Sequence, residues 1–155
     1  MRLIHASIPA DDPREVADVL AEMMSGEALP FPPGGPDARM AWSGDGRVSL
    51  EIVPRGHVIH RGPQEGEWRA LPDAQRLSEV HLAISVERQA SEIIAIADRA
   101  GWPARPCSRG EGLFELVEVW VEGAFMLEMF DPEQAAHYER TITVENLKRY
   151  LAEAA

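Results

Sequence analysis

Two histidines and two glutamates occur at matched spacing along the chain, and these residue types can bind divalent metal ions and transfer protons. Glu51 follows His5 by 46 residues, and Glu128 follows His81 by 47 residues. The second pair repeats the first after 76 residues for the histidines and 77 for the glutamates. This repetition indicates that the two pairs occupy equivalent positions in two copies of one structural unit.

The chemistry of these four side chains points to a metal ion. Two imidazole nitrogens and two carboxylate oxygens suit a borderline divalent ion such as Ni, Zn, Co, Mn or Fe. Four protein ligands in an octahedral site leave two neighbouring positions for water or a chelating substrate, as a catalytic metal requires. The sequence therefore predicts one divalent metal site formed by His5, Glu51, His81 and Glu128.

Each of the four residues lies on a segment with the alternating pattern of a β-strand. In the first three segments, aliphatic residues occupy one face and the histidine or glutamate the other. In the fourth, Met126 and Phe130 lie beside Glu128. The predicted strands are 2–8, 47–53, 79–86 and 125–130.

The remaining elements repeat in the same order around these strands. Amphipathic helices are predicted at 13–24, capped by Asp11 or Asp12, and at 88–100. Hairpins are predicted at 38–53 and 113–130. The rest of the chain is a Pro-rich loop at 29–36, a long polar connection at 54–78 and a helical tail at 132–155. The order β-α-β-β occurs twice, in modules of about 1–60 and 79–131. The sequence leaves open whether the loops of each module contain one extra strand. This order predicts an α+β fold in one domain.

Composition excludes several classes of function. The chain has 155 residues, enough for one domain with its own core. Its formal net charge is −11 and no basic stripe stands out, so we expect neither a nucleic-acid partner nor an anionic membrane surface. No apolar stretch approaches the roughly 20 residues of a membrane helix, and no signal peptide is predicted. A single cysteine, Cys107, fits the reducing cytoplasm.

Four short segments resemble the metal-bearing strands of a known group of proteins. The sequence is similar to bacterial glyoxalase I of the vicinal oxygen chelate superfamily, which also contains extradiol dioxygenases and bleomycin-resistance proteins. The likeness covers about 1–131 and excludes the tail at 132–155. It differs at Pro9 and Arg55, where glyoxalase I has an arginine and usually an asparagine. The similar segments are Met-Arg-Leu-Ile-His at 1–5, Val-Ser-Leu-Glu at 48–51, Val-His-Leu-Ala-Ile-Ser-Val at 80–86 and Phe-Met-Leu-Glu at 125–128.

The resemblance implies paired βαβββ modules that curl into a cup, completed by a homodimer. It implies that His5, Glu51, His81 and Glu128 are the metal ligands. It further implies that a small-molecule substrate with two neighbouring oxygens chelates the metal and forms a stabilised enediolate-like anion. A ligand glutamate would then carry the proton, with Glu128 the first candidate and Glu51 the second. The expected activity is that of a glyoxalase-like lyase or isomerase.

Several alternatives stay open at this point. An iron-dependent extradiol dioxygenase would use His5, His81 and Glu128, and leave Glu51 without a role. A non-catalytic protein on the same fold would bind a drug or metabolite in the cup without needing metal. The four ligands come either from one chain or from two chains of a dimer, and the spacing fits both arrangements.

Four further residues receive only structural expectations. Arg55 and Arg109 could hold an anionic substrate, but surface salt bridges are the default for arginines in an acidic protein. Cys107 is expected in a loop as an inert thiol. Trp120 is the tryptophan that we expect as a pocket wall.

Overall fold

The computed structural model describes residues 4–61, 66–71, 76, 78 and 80–153. Ten strands and four α-helices occur in this part of the chain, with one short 3-10 helix at Pro32–Gly34. The strands are β1 His5–Ala10, β2 Ala28–Pro30, β3 Arg39–Trp42, β4 Ser49–Pro54, β5 His57–Arg61, β6 Gly66–Ala70, β7 Leu82–Ser85, β8 Ala104–Arg109, β9 Phe114–Val121 and β10 Phe125–Phe130. The α-helices are α1 Pro13–Met23, α2 Ala90–Arg99, α3 Pro132–Thr141 and α4 Val144–Glu153.

Two four-stranded sheets with the same topology form the framework. Their strand orders are β1-β4-β3-β2 and β7-β10-β9-β8. In each sheet the first strand lies at the edge and runs parallel to the last strand of its module, while the other pairings are antiparallel. This confirms the α+β fold with two βαβββ modules. The strands β5 and β6 form a separate two-stranded sheet between the modules.

The helix of each module covers one face of its sheet. The Asp12 carboxylate caps α1 by accepting hydrogen bonds from the backbone N–H groups of Arg14 and Glu15, both at 3.0 Å. At the start of α2, the Glu92 carboxylate accepts from the Gln89 backbone N–H at 2.9 Å. Apolar residues at helical spacing on α1 and α2 are buried in one continuous core: Val16, Leu20, Met23, Ile93, Ile96 and Ala97.

Alternation along the strands separates the core from the opposite face of each sheet. The core face includes Leu50 and Ile52 on β4 and Leu127 and Met129 on β10, all essentially inaccessible to water. Burying each such side chain contributes roughly 1.5–3 kcal/mol to folding. We call the other face of each sheet, which carries Glu51 or Glu128, the cup face.

Two predicted loops contain strands, which corrects their assignment as loops and supplies the extra strand that the sequence left open in each module. The Pro-rich loop at 29–36 begins with β2, which pairs with β3. The segment around Cys107 is β8, an edge strand paired with β9. Both strands carry a proline, Pro30 in β2 and Pro106 in β8, and an edge strand tolerates a missing N–H donor. The long polar connection predicted at 54–78 also contains two paired antiparallel strands, β5 and β6.

The described part of the segment after β10 contains α3 and α4, and α3 packs against the second sheet. The ring of Tyr138 lies edge-on to Phe114 at 4.9 Å between centroids and 5.0 Å from Phe130. The Thr143 hydroxyl accepts from the Asn146 backbone N–H at 3.1 Å and caps α4. Within the described residues, no helix has the length and apolar character needed to span a membrane.

A charged cluster joins the two modules at the turn between β9 and β10. The Glu122 carboxylate accepts hydrogen bonds from the backbone N–H groups of Asp11 and Asp12, at 2.6 and 2.7 Å. Arg55 donates to Asp11 at 2.5 Å and to Glu122 at 3.3 Å, and Arg76 also pairs with Asp11. These contacts connect the start of α1 and the end of β4 to the second module.

Candidate metal site

The first predicted pair of ligands is brought together on the cup face of the first module. The parallel pairing of β1 with β4 places His5 opposite Ser49 and Ser7 opposite Glu51. The His5 side chain is therefore a diagonal neighbour of Glu51, with 3.7 Å between His5 Nε2 and Glu51 Oε1. We call these two residues the first half-site.

The second pair is brought together in the same way by the second module. Glu128 on β10 lies opposite Ala83 on β7, and His81 precedes β7. The distance between His81 Nε2 and Glu128 Oε2 is 3.9 Å. In both pairs the histidine is half-exposed and the glutamate is largely buried. We call His81 and Glu128 the second half-site.

Each glutamate keeps one oxygen toward its histidine while its other oxygen accepts a hydrogen bond. The Ser7 hydroxyl donates to Glu51 Oε2 at 2.6 Å. Arg109 Nε donates to Glu128 Oε1 at 3.2 Å. Hydrogen bonds of this kind fix the orientation of a ligand carboxylate and are a regular feature of metal sites.

The half-sites fit a divalent ion with a small side-chain adjustment. Ligand distances of about 2.1 Å at a right angle place a nitrogen and an oxygen about 3.0 Å apart. The observed separations of 3.7 and 3.9 Å are wider than this by less than 1 Å, which rotation of the exposed histidines can supply. The donor set is two imidazoles and two carboxylates, which suits Ni, Zn, Co, Mn or Fe.

The two half-sites do not meet within one chain. Among the described residues, no three His, Cys, Asp or Glu side chains lie close enough together to hold a metal ion. Each half-site lies beside an edge strand, β1 or β7. The residues that precede the two histidines, Ile4 and Val80, are apolar and are 63% and 59% exposed.

A buried carboxylate that the sequence analysis did not select lies next to the second half-site. Glu118 on β9 is 3% exposed and lies directly opposite Glu128. Its Oε1 accepts from Trp120 Nε1 and Arg105 Nη2, both at 2.7 Å, and its Oε2 accepts from Arg109 Nη2 at 2.9 Å.

These hydrogen bonds change the acid–base properties of the cluster. The hydrogen bond from Trp120 lowers the pKa of Glu118 to about 2, with Arg109 and Arg105 acting in the same direction and burial opposing them. The hydrogen bond to Glu118 raises the pKa of Arg109, assisted by Glu128 and opposed by burial. Glu118 is therefore an anion, and Arg109 a cation, at any pH near neutrality.

The structure revises the expectations for the residues around this cluster. Arg109 is no isolated surface arginine, because it bridges Glu118 and Glu128. Cys107 lies on β8 in contact with Arg109, not in a loop. Trp120 lies on the cup face and donates to Glu118, whereas Arg55 belongs to the cluster between the modules.

The alternation of β9 was the available signal for Glu118. Val117, Val119 and Val121 face the core, so the even-numbered residues face the cup. Arg105 could not be placed from sequence because β8 was taken for a loop.

The cavity of about 880 Å³ between α4 and the 110–113 turn is lined by none of the four predicted ligands.

Known structures share this architecture at low sequence identity. A lactoylglutathione lyase from Agrobacterium tumefaciens is 12% identical, covers 85% of this chain and 94% of its own, and has a TM-score of 0.56. The fosfomycin resistance protein FosX from Listeria monocytogenes is 14% identical, with coverages of 90% and 97% and a TM-score of 0.55. FosX from Mesorhizobium loti is 12% identical, with coverages of 84% and 91% and a TM-score of 0.53.

No protein-family model matches the sequence, and no curated protein is similar to it. At these identities the structural likeness concerns the fold. The paired four-stranded sheets agree with a shared fold. So does the match, which covers nearly the whole of each of these chains. The chain has the same fold as these lactoylglutathione lyase, fosfomycin resistance and glyoxalase-family structures, which is the fold that the resemblance to the vicinal oxygen chelate superfamily implies.

Proposed function

We propose that this protein is a metal-dependent, glyoxalase-like lyase or isomerase that acts on a small molecule with two neighbouring oxygen atoms. The observation that carries the proposal is the repeated His–Glu pair, in which the second glutamate oxygen is oriented by Ser7 or Arg109. Two solvated glutamates would not need this arrangement in both modules. The relatives named lactoylglutathione lyase and fosfomycin resistance protein act as precedents for chemistry on this fold.

The roles of the four residues follow from their chemistry. His5, His81, Glu51 and Glu128 would hold the ion, because in each pair the histidine Nε2 faces one glutamate oxygen. When bound, a divalent ion supplies Lewis-acid stabilisation of the negative charge that develops on a chelating substrate. One of the two glutamates takes a proton from a substrate carbon and returns it to the neighbouring carbon.

The two glutamates differ in the partner of their second oxygen, and both remain candidates for the proton transfer. The second oxygen of Glu128 accepts a hydrogen bond from the positively charged Arg109, whereas that of Glu51 accepts one from the neutral hydroxyl of Ser7. Substituting each glutamate by glutamine and following exchange of the substrate proton with solvent distinguishes them.

We propose further that the complete site forms in a homodimer. His5 and Glu51 of one copy would face His81 and Glu128 of a second copy, which would also cover the exposed Ile4 and Val80. The separation of the half-sites within the described chain supports this arrangement. Contact between the edge strands β1 and β7 of two copies would bring the half-sites together. The single cysteine agrees with a cytoplasmic enzyme.

Elemental analysis after reconstitution tests the proposal. We expect about one divalent ion per chain in the wild type, and its loss in His5→Ala, Glu51→Ala and Glu128→Ala. His137→Ala, which changes an exposed histidine on α3, is the matched control and should retain the metal. A protein that binds no metal would instead be a non-catalytic binding protein. Iron that survives only in Glu51→Ala would favour the dioxygenase.

A further inference from the structure

A row of charged side chains crosses the cup face of the second module. Arg105 on β8 lies opposite Glu118 on β9, and Glu118 lies opposite Glu128 on β10. Paired residues in a sheet project from the same face, so Arg105 shares this face with the second half-site. Two strand spacings, about 10 Å, separate the backbone of Arg105 from that of Glu128.

Glu118 does not require Arg105 for its own hydrogen bonding. Trp120 Nε1 donates to Oε1 and Arg109 Nη2 donates to Oε2, so each oxygen already has a donor. Arg105 adds a second hydrogen bond to Oε1 through one Nη2 N–H group. Its side chain is 69% exposed, and within the described chain no other hydrogen bond from its guanidinium is found. Most of this guanidinium is therefore available to a ligand.

The charges around the second half-site also leave room for an anion. Arg105 and Arg109 balance Glu118 and Glu128, so this wall is neutral in a chain whose formal net charge is −11. A divalent ion together with Glu51 adds one net positive charge. An anionic ligand would offset this positive charge, so the complete site would attract anions more than neutral molecules.

We propose that Arg105, held in place by Glu118, is a binding residue for an oxyanion group of the substrate, either a carboxylate or a phosphonate. This inference rests on the proposed function, because the substrate would chelate the ion with one end and reach Arg105 with the other. Guanidinium groups bind such oxyanions through two parallel N–H donors. Arg105 therefore selects small acids over neutral molecules with the same chelating group.

Chelating probes of equal length test this selection. Succinohydroxamic acid presents two adjacent oxygens for the metal and a carboxylate at its other end, and its terminal amide is the neutral counterpart. 3-Phosphonopropanohydroxamic acid keeps the same chain and replaces the carboxylate by a phosphonate. Calorimetric titration of the metal-loaded protein gives the Kd of each probe. The variants are Arg105→Gln, which can still donate to Glu118, and Arg99→Gln as a control at an exposed ion pair with Glu22.

We expect the wild type and Arg99→Gln to bind an anionic probe about tenfold more tightly than the amide, and Arg105→Gln to lose this preference. The stronger of the carboxylate and phosphonate probes identifies the oxyanion. Equal binding of all probes by the wild type would overturn the inference and leave the proposed function intact. A preference that persists in Arg105→Gln would also overturn it. If no probe binds, the proposed function is wrong and the inference falls with it.

Discussion

Glu118 and Glu128 are direct cross-strand partners on β9 and β10, and the guanidinium of Arg109 hydrogen-bonds to both carboxylates. Like charges at opposed positions of an antiparallel pair destabilise a sheet, and here both carboxylates are largely buried. Arg109 removes this repulsion and orients Glu128 toward His81. The same side chain therefore serves the stability of the sheet and the geometry of the second half-site.

Replacing Arg109 by glutamine should weaken metal binding by about 10- to 100-fold, because Glu128 loses the donor that orients it. The free energy of unfolding should fall by about 2–3 kcal/mol, because two opposed carboxylates lose their shared cation. Metal titration and urea unfolding measure the two effects. Arg99→Gln should change the free energy of unfolding by less than about 1 kcal/mol. Unchanged metal affinity in Arg109→Gln would contradict the orienting role.

Glu118 should make stability depend on pH in the acid range. Its pKa is lowered from 4.5 to about 2 in the folded protein, so the unfolded chain takes up the proton first as the pH falls. The stability that Glu118 contributes is present above about pH 4.5 and is lost as the pH approaches 2. Between pH 5 and pH 2, the free energy of unfolding should therefore fall by about 3 kcal/mol more in the wild type than in Glu118→Gln.

Urea unfolding of both proteins across this range measures the difference, to which carboxylates distant from Glu118 contribute equally. Asp11 is one of these shared groups. Desolvation raises the pKa of Asp11, but its hydrogen bonds to Arg55 and Arg76 outweigh this effect and lower the pKa. Parallel pH profiles for the two proteins would show that Glu118 titrates normally.

Strands with a regular apolar–polar alternation could be predicted from sequence, whereas β2 and β8, which lack it, could not. The pattern of β4 and β10 separates Leu50, Ile52, Leu127 and Met129 from the cup face because one face packs against helices. The sequence of β8, Ala-Arg-Pro-Cys-Ser-Arg, has no apolar face. It forms a strand because β9 supplies its hydrogen bonds, which is information from the tertiary structure.

The same difference explains what was predicted of the site. His5, Glu51, His81 and Glu128 could be selected because a duplicated module repeats its spacing. Ser7 lies two residues after His5 and its partnership with Glu51 depends on the register of a parallel pair 44 residues apart. Arg105 and Arg109 lie on β8, so placing them requires that this segment be recognised as a strand. Their contacts with Glu118 could not be predicted once that strand had been taken for a loop.

Ser7→Ala should weaken metal binding by about tenfold without destabilising the fold by more than about 1 kcal/mol. The hydroxyl donates to Glu51 Oε2 at 2.6 Å, and its removal frees the carboxylate to rotate away from His5. Metal titration gives the affinity. Ser7→Thr, which keeps the hydroxyl on a strand position, should retain most of it. Equal loss in both variants would mean that the hydrogen bond is not what orients Glu51.

Glu122→Gln should destabilise the protein by about 2–3 kcal/mol, because the carboxylate accepts charge-assisted hydrogen bonds from the backbone N–H groups of Asp11 and Asp12 and pairs with Arg55. The loss should exceed that of Glu115→Gln, an exposed glutamate on the same strand pair. Urea unfolding measures both. Since Glu122 lies at the junction of the modules, a loss equal to that of Glu115→Gln would show that the junction does not limit stability.

Mixing two inactive variants should restore activity if the site is shared between copies. His5→Ala and His81→Ala each damage every site of their own homodimer. A mixed dimer has one site without either histidine and one site in which His5 and His81 are both intact. An equimolar mixture that exchanges subunits should therefore recover about a quarter of the wild-type sites, measured as bound metal or as activity.

Mixing His5→Ala with Glu51→Ala provides the control, because both residues belong to the first half-site and no mixed dimer contains an intact site. Recovery in neither mixture, despite confirmed subunit exchange, would place all four ligands within one chain.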